Sequence, residues 1–273
     1  MQTKSISLIL LVLLVWMGVP SLPHATPLIT HNGSLNPVSE GWTRHVSPLP
    51  IPEGPLTPDP IGGLPAWNIN DNSGDRIGGS ALWYASTLTP AQITAAQTDG
   101  WTLTTRLRVA SIPDDPDFGV NVIFVDGVRS YDMYFGTQAD GDQVIMLGET
   151  NSPFTGPQYV AEGQGNAYHL YQLVFDPGVG SASLFVDNNP VPVLTNYTGK
   201  SPIDPPGSIF WGATSSFTTG NGNYNLVEFD IQAVPEPGTL TLVGLGVLGL
   251  FGYHWRPLLR RTRKAVVDRS GIA

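Results

Sequence analysis

The chain has 273 residues, 41% hydrophobic and only 13% charged, with 31 glycines, 25 prolines and no cysteine. That balance suits many short strands joined by turns, and the missing cysteines exclude thiol catalysis, cysteine-ligated zinc and disulfide staples. The net charge of −9 is unevenly spread: Thr26 to Pro235 carries six Lys or Arg against twenty Asp or Glu, the final 18 residues six against one. So acidic a body repels a phosphate backbone, which speaks against nucleic-acid binding.

At the start, Lys4 precedes an apolar run from Ile6 to Val19, followed by Pro20-Ser21-Leu22-Pro23-His24-Ala25. This is the order of a secretory signal, predicted as a signal peptide over 1–25 with cleavage between Ser21 and Ala25. It makes the Sec translocon the first partner. Exported domains often rely on disulfides, so a cysteine-free one needs a sufficient core.

Residues 26–65 read as an extended, proline-rich region with one strand, Trp42 to Val46. Pro48 to Pro65 holds seven prolines in 18 residues and is expected as an arm or loop draped on the body. The body, 66–233 with strand 42–46, is rich in strand signals. Trp101 to Val109 alternates, with Trp101, Leu103, Leu107 and Val109 inward and Thr102, Thr104, Arg106 and Arg108 outward. Val120–Val125 and Val128–Phe135 flank Asp126-Gly127, a type I′ hairpin signal. Gln143–Leu147, Tyr168–Phe175, Ser181–Val186, Val191–Leu194, Ile209–Gly212 and Tyr224–Gln232 follow. With Ala66–Ile69 and Ala81–Tyr84 they make eleven or twelve strands, enough for two packed sheets. Thr89-Pro90-Ala91-Gln92 sets a capping box with proline at the first position, predicting one short helix to about Thr98.

The order of Trp67-Asn-Ile-Asn-Asp71, the helix ending Asp99-Gly-Trp101, the Arg-bearing strand, Asp126-Gly127 with Tyr131, Phe175-Asp176-Pro177 and Phe185-Val186-Asp187 resembles a concanavalin A-like (laminin-G-type) jelly roll. It is similar to the lectin-like modules attached to some bacterial sialidases. The resemblance implies an all-β fold, a two-sheet antiparallel β-sandwich, and commonly carbohydrate or protein binding. Fold alone does not fix function.

Catalytic patterns are weak. Glu228-Phe-Asp230-Ile-Gln232-Ala233 approaches the strand motif of family 16 glycoside hydrolases, but retaining hydrolysis needs two carboxylates in nucleophile and acid roles, and Gln232 and Ala233 stand where the acid is required. Glu228 and Asp230 are expected on a solvated strand face, and no enzyme is predicted. Asp71-Asn-Ser-Gly-Asp75 offers oxygen ligands, making Asp71 and Asp75 candidate Ca2+ ligands; Asp114-Asp115-Pro-Asp117 and Asp140-Gly-Asp142 are weaker clusters of the same type. All three equally make turns, and no other cofactor is predicted. Trp67, Trp83, Tyr131, Tyr134 and Trp211 are candidates for stacking on sugar rings, with core packing as the competing role.

At the far end, Gly238 to Trp255 is an 18-residue uncharged stretch, roughly 27 Å as a helix, predicted to span a membrane. Arg256, Arg260, Arg261, Arg263 and Lys264 follow, the positive-inside pattern that leaves 265–273 as a cytoplasmic tail and the acidic body outside. Gly244-Leu-Gly246-Val-Leu-Gly249 matches a nucleotide-binding fingerprint but follows no strand, so it carries no such function. Before the span, Pro235, Glu236 and Pro237 hold an extended segment suited to a processing enzyme. Pro-Glu-Pro, apolar span and basic cluster over 234–264 together resemble the PEP-CTERM sorting signal. That resemblance implies processing by exosortase, a membrane-embedded transpeptidase, with inner-membrane anchoring first and the cell surface or matrix afterwards. The expected role is a sorted surface or biofilm-matrix protein that binds an extracellular polysaccharide or surface protein. A purely structural surface protein and a weak glycoside hydrolase are the alternatives.

Overall fold

A computed structural model of the protein describes residues 27–47, 50–72, 80–111, 117–150, 155–163, 167–215 and 218–232. The segment 1–26, which holds the predicted signal peptide, and the residues from 233 onward lie outside them. Among the described residues no helix is long and apolar enough to cross a membrane.

The described residues form fifteen strands, in the order β1 (Ile29–Asn32), β2 (Thr43–Ser47), β3 (Glu53–Leu56), β4 (Ala66–Asp71), β5 (Ala81–Thr87), β6 (Trp101–Ser111), β7 (Asp117–Val125), β8 (Ser130–Thr137), β9 (Gln143–Leu147), β10 (Gln158–Ala161), β11 (His169–Asp176), β12 (Ser181–Val186), β13 (Leu194–Tyr197), β14 (Ser208–Ala213) and β15 (Gly220–Ile231). They form an eight-stranded sheet, β13-β12-β11-β6-β15-β4-β3 with β1 also on β15, and a seven-stranded sheet, β10-β9-β8-β7-β14-β5-β2. Every pairing is antiparallel. This is the two-sheet sandwich that the alternating sequence demands.

One face of each sheet supplies the shared core. Trp101, Leu103 and Leu107 from β6, and Val227 and Phe229 from β15, meet Phe124 of β7 and Tyr131 and Met133 of β8. The Trp101 ring lies edge-on to Phe124 and Tyr131 at 5.0 and 4.9 Å and stacks on Phe175 at 5.6 Å, so one residue joins both layers. In β15 a bulge at Asn225 shifts the register between Tyr224 and Leu226. It resets the period-two alternation, which is why Tyr224 and Val227, an odd spacing apart, are both buried in the core. Beside the bulge, Gly33 donates its amide to the Asn225 carbonyl at 2.7 Å. A Cβ there would sit 2.6 Å from the Tyr224 oxygen and 2.7 Å from the Ala66 Cα, so only glycine lets the chain leave β1 at this point.

The single α-helix among the described residues, α1 (Pro90–Asp99), starts at the predicted capping box: Thr89 Oγ1 accepts from the Gln92 amide at 3.3 Å, and Gln92 Oε1 accepts from the Thr89 amide at 2.8 Å.

Four expectations are corrected. Residues 27–65 contain three strands, not one. The proline-rich stretch contributes β3, where Pro55 is tolerated because this is the outer strand of the path and needs no partner for a missing N–H. The Asp126-Gly127 turn is not a two-residue I′ hairpin. Asp126 Oδ1 accepts from the amides of Val128 and Arg129 at 2.7 and 2.6 Å, holding a four-residue turn that delays β8 to Ser130. The strand expected at Val191–Leu194 runs instead from Leu194 to Tyr197, because its pairing with β12 is irregular between Ala182 and Leu184.

Candidate functional site

The outer face of the seven-stranded sheet carries a groove of roughly 600 Å³. Strand alternation builds it: in β5, Leu82 and Tyr84 enter the core, so Trp83 and Ala85 face the other way. There they join a second apolar cluster of Ile123, Val125, Tyr134, Met146 and Phe210. Ala85, Ile123 and Phe210 form the floor, Thr87, Ser208, Thr214 and Ser215 bring hydroxyls to it, and Ile203, Asp204 and Pro205 bring the loop before β14.

Register places a row across this face: His45 opposite Trp83, Trp83 opposite Gly212, Gly212 opposite Asn121, Asn121 opposite Tyr134. The His45 and Trp83 rings stack at 5.1 Å and 8°. On its other flank Trp83 meets Gly212, which has no side chain to cover it. Gly212 has φ +133, and a Cβ there would lie 2.5 Å from the Leu82 oxygen. Trp83 is thus partly exposed, braced by one ring and open on the groove side.

The groove ends in a buried polar cluster. The Asp132 carboxylate accepts from Ser130 Oγ through Oδ1 and from Tyr134 OH through Oδ2 at 2.5 Å, and Lys200 Nζ stands 2.5 Å from the same Oδ2. Lys200 Nζ also donates to Tyr134 OH at 2.7 Å. Tyr197 OH accepts from the Asp132 amide at 3.0 Å and donates to the Gly148 carbonyl at 2.7 Å. Burial first, then the charge and hydrogen bond of Asp132, push the Tyr134 phenol far above its ordinary range, so it stays protonated. Asp204 is raised as well, by burial and then by the charge of Asp132, with Lys200 opposing.

Of the five aromatic candidates, Trp83 alone stands at the groove with an open flank. Trp67, Tyr131, Tyr134 and Trp211 are 6%, 2%, 0% and 0% exposed, and no sugar can reach their faces. Trp211 is enclosed by His31 at 4.7 Å, Tyr84 at 4.9 Å and Tyr224 at 4.7 Å. Asp71 is buried on β4, while Asp75 lies outside the described residues, as do Asp114 and Asp115. The Asp140–Asp142 segment is a turn: Asp140 Oδ1 accepts from the Asp142 amide at 3.1 Å, and Asp142 Oδ2 accepts from Gly163 N at 2.7 Å. Among the described residues no three His, Cys, Asp or Glu side chains gather as a metal site. The sorting residues Pro235, Glu236 and Pro237 and the basic residues Arg256 to Lys264 lie outside the described residues.

Glu228 and Asp230 are partly exposed on the outer face of the eight-stranded sheet, alternating with buried Val227 and Phe229. They line a depression of mixed character with Thr102, Thr104 and Arg106 beside Leu170 and Leu226. Burial raises the Glu228 pKa, opposed by a Thr30 hydrogen bond and by Arg106.

Sequence inspection missed Asp132, Lys200 and Asp204. One signal was present: Lys200 is the single lysine between Lys4 and Lys264.

Two sialidases of Vibrio cholerae serotype O1, from a classical Ogawa and an El Tor Inaba strain, are 29% identical to this chain over 176 residues, 62% of the chain and 20% of each sialidase. The chain therefore spans about a fifth of the length of these curated relatives. Among solved structures, a carbohydrate esterase from a Shiga toxin-encoding bacteriophage, phi24B, superposes with a TM-score of 0.56 at 13% identity, covering 76% of this chain and 99% of that one. At that identity the likeness is one of fold. The profile of the PEP-CTERM protein-sorting motif matches residues 233–261, so this chain carries a PEP-CTERM sorting signal directly behind a jelly-roll β-sandwich.

Proposed function

We propose that this is an exported, exosortase-processed protein of the cell surface or matrix, and that its sandwich binds an extracellular glycan in the groove over Trp83. The sorting motif supports export, membrane anchoring and release to the surface. The observation that carries glycan binding is the groove itself. A braced indole with one flank uncovered stands over an apolar floor, among hydroxyls and the Asp204 carboxylate. Sugar rings present C–H faces to aromatic rings and hydroxyls to such acceptors, and protein sites for them combine apolar area with a few placed polar groups. The sialidase likeness agrees with a carbohydrate-directed module.

Binding rather than turnover is the proposed activity. Glu228 and Asp230 lie on the sheet facing away from this groove, and the position after Ile231 is Gln232. The test is titration of the purified full-length protein in detergent with extracellular polysaccharide of the producing cells and with defined oligosaccharides. Saturable binding lost in Trp83→Ala is expected. Saturable binding that survives this substitution moves the site elsewhere, and no binding to any glycan leaves the structural surface role.

A further inference from the structure

Lys200 and Asp132 are held together more rigidly than a surface ion pair. Both side chains are 2% exposed, with Nζ 2.5 Å from Oδ2, and the ammonium stands 5.3 Å from the centroid of the Tyr134 ring. The main chain fixes them: the Lys200 amide donates to the Ser130 carbonyl at 2.9 Å, and the Ser130 amide to the Lys200 carbonyl at 3.0 Å. An amine and a carboxyl so placed need no encounter, which is worth a large effective concentration. A buried ion pair also carries a desolvation penalty that a neutral amide would not.

We propose that Lys200 and Asp132 condense to an intramolecular isopeptide bond, a covalent cross-link of the sandwich that this cysteine-free protein makes by itself. A proton passes from Nζ to Oδ2 within the pair, leaving an amine and an un-ionised acid side by side in a site shut off from water. The Nζ lone pair attacks Cγ, and charge develops on Oδ1, where the Ser130 hydroxyl already donates. Oδ2, to which Tyr134 OH donates, takes a second proton and departs as water. Asp204, in the same groove with a carboxyl made easier to protonate by burial and by Asp132, relays that proton from the attacking nitrogen. The balance is one ammonium and one carboxylate giving one amide and one water, with no oxidant and no cofactor. The bond would tie β8 to the segment leading into β14 and close all the chain between them, as a disulfide closes a loop, without dependence on redox conditions.

Mass spectrometry of the purified full-length protein decides the matter. No Lys or Arg lies between Arg129 and Lys200 or between Lys200 and Arg256, so trypsin reports directly on Lys200. The expected peptide begins at Ser130, runs through an uncut Lys200, and is lighter by one water. Asp132→Asn should give the same amide with loss of ammonia instead, Lys200→Arg should give none, and Asp204→Asn should slow formation at least tenfold. Cleavage after Lys200 at full mass in the wild type overturns the proposal and needs no variant to fold. An unchanged rate in Asp204→Asn overturns the relay role alone.

Discussion

Asp59 and Arg108 meet as a buried bidentate pair, Oδ2 2.8 Å from Nε and Oδ1 3.0 Å from Nη2. Arg108 points outward from β6, yet it is only 3% exposed, because the proline-rich loop folds over it and brings Asp59 down. Tyr168 OH and Asn223 Nδ2 each donate to Asp59 Oδ2 at 2.8 Å, and the Ile61 amide to Oδ1 at 3.0 Å. One carboxylate therefore gathers β6, β15 and the residue just ahead of β11 under a loop that has few main-chain donors of its own.

Removing one partner should be costly. Asp59→Ala leaves a guanidinium buried and unpaired, at a cost of about 3–5 kcal/mol. Asp59→Ala combined with Arg108→Met should recover most of that loss. Urea unfolding of the two variants checks this; equal stability of single and double variants would refute the clamp.

The same carboxylate sets an acid limit. Burial alone would raise the Asp59 pKa, but the bonds from Arg108, Ile61, Tyr168 and Asn223 outweigh it and hold the carboxyl far below the ordinary range. A depressed folded pKa gives stability that is complete above the unfolded value of about 3.9 and is lost as pH falls below it. Unfolding free energy should therefore drop below roughly pH 4, and the Asp59→Ala, Arg108→Met double variant should drop less over that window.

His31 sets a second, milder window. It is fully buried against Trp211, and burial lowers its pKa, with the Glu40 hydrogen bond and charge opposing. Since the unfolded chain takes up this proton near pH 6.5 and the folded chain only at lower pH, stability should decline as pH falls through 6.5. His31→Phe keeps a ring on Trp211 and should flatten the slope of melting temperature between pH 7 and pH 5. An unchanged slope would assign it to other groups.

Trp83 and Trp211 should separate binding from folding. Trp211→Ala empties a fully enclosed site and should cost about 3–5 kcal/mol. Trp83→Ala, on a partly exposed face, should cost much less and weaken glycan binding at least tenfold. Thermal melts and titrations of the two variants make the comparison.

Processing is testable at the other end of the chain. Replacing Pro235, Glu236 and Pro237 with alanine should leave membrane insertion intact and prevent loss of the tail in a host with exosortase. The mature C-terminus, read by mass spectrometry, should be shortened in the wild type and end at Ala273 in the variant. Retention of Ala273 in both would mean an ordinary single-pass anchor.

Strands were legible from two signals: alternation in β6, which shows Thr and Arg between apolar residues, and turn residues at β9 and β12, which begin and end where those residues predict. The capping box fixed α1 within a residue. β1 was invisible because four residues, ITHN, become a strand only through β15, on the far side of the sequence. The groove was half legible. In β5 both faces are apolar, Leu82 and Tyr84 against Trp83 and Ala85, so periodicity could not say which aromatic would be left uncovered. Lys200 was illegible as a partner for Asp132, since only the long return of the chain to β8 brings them together.

The place of β15 has a consequence for the order of assembly. It joins β6 on one edge, and on the other it is the sole attachment of both β1 and the β3–β4 pair to the eight-stranded sheet. The polypeptide is synthesised from the other end, so its first strands must wait, unpaired, for nearly the whole domain to appear. Contacts of such long sequence separation make folding slow, and a nascent chain halted before Gly220 has no route to the native sheet. The domain closes on its final dozen residues, immediately ahead of the sorting motif, so a chain exported N-terminus first cannot complete this sheet until the stretch beside the motif has also emerged.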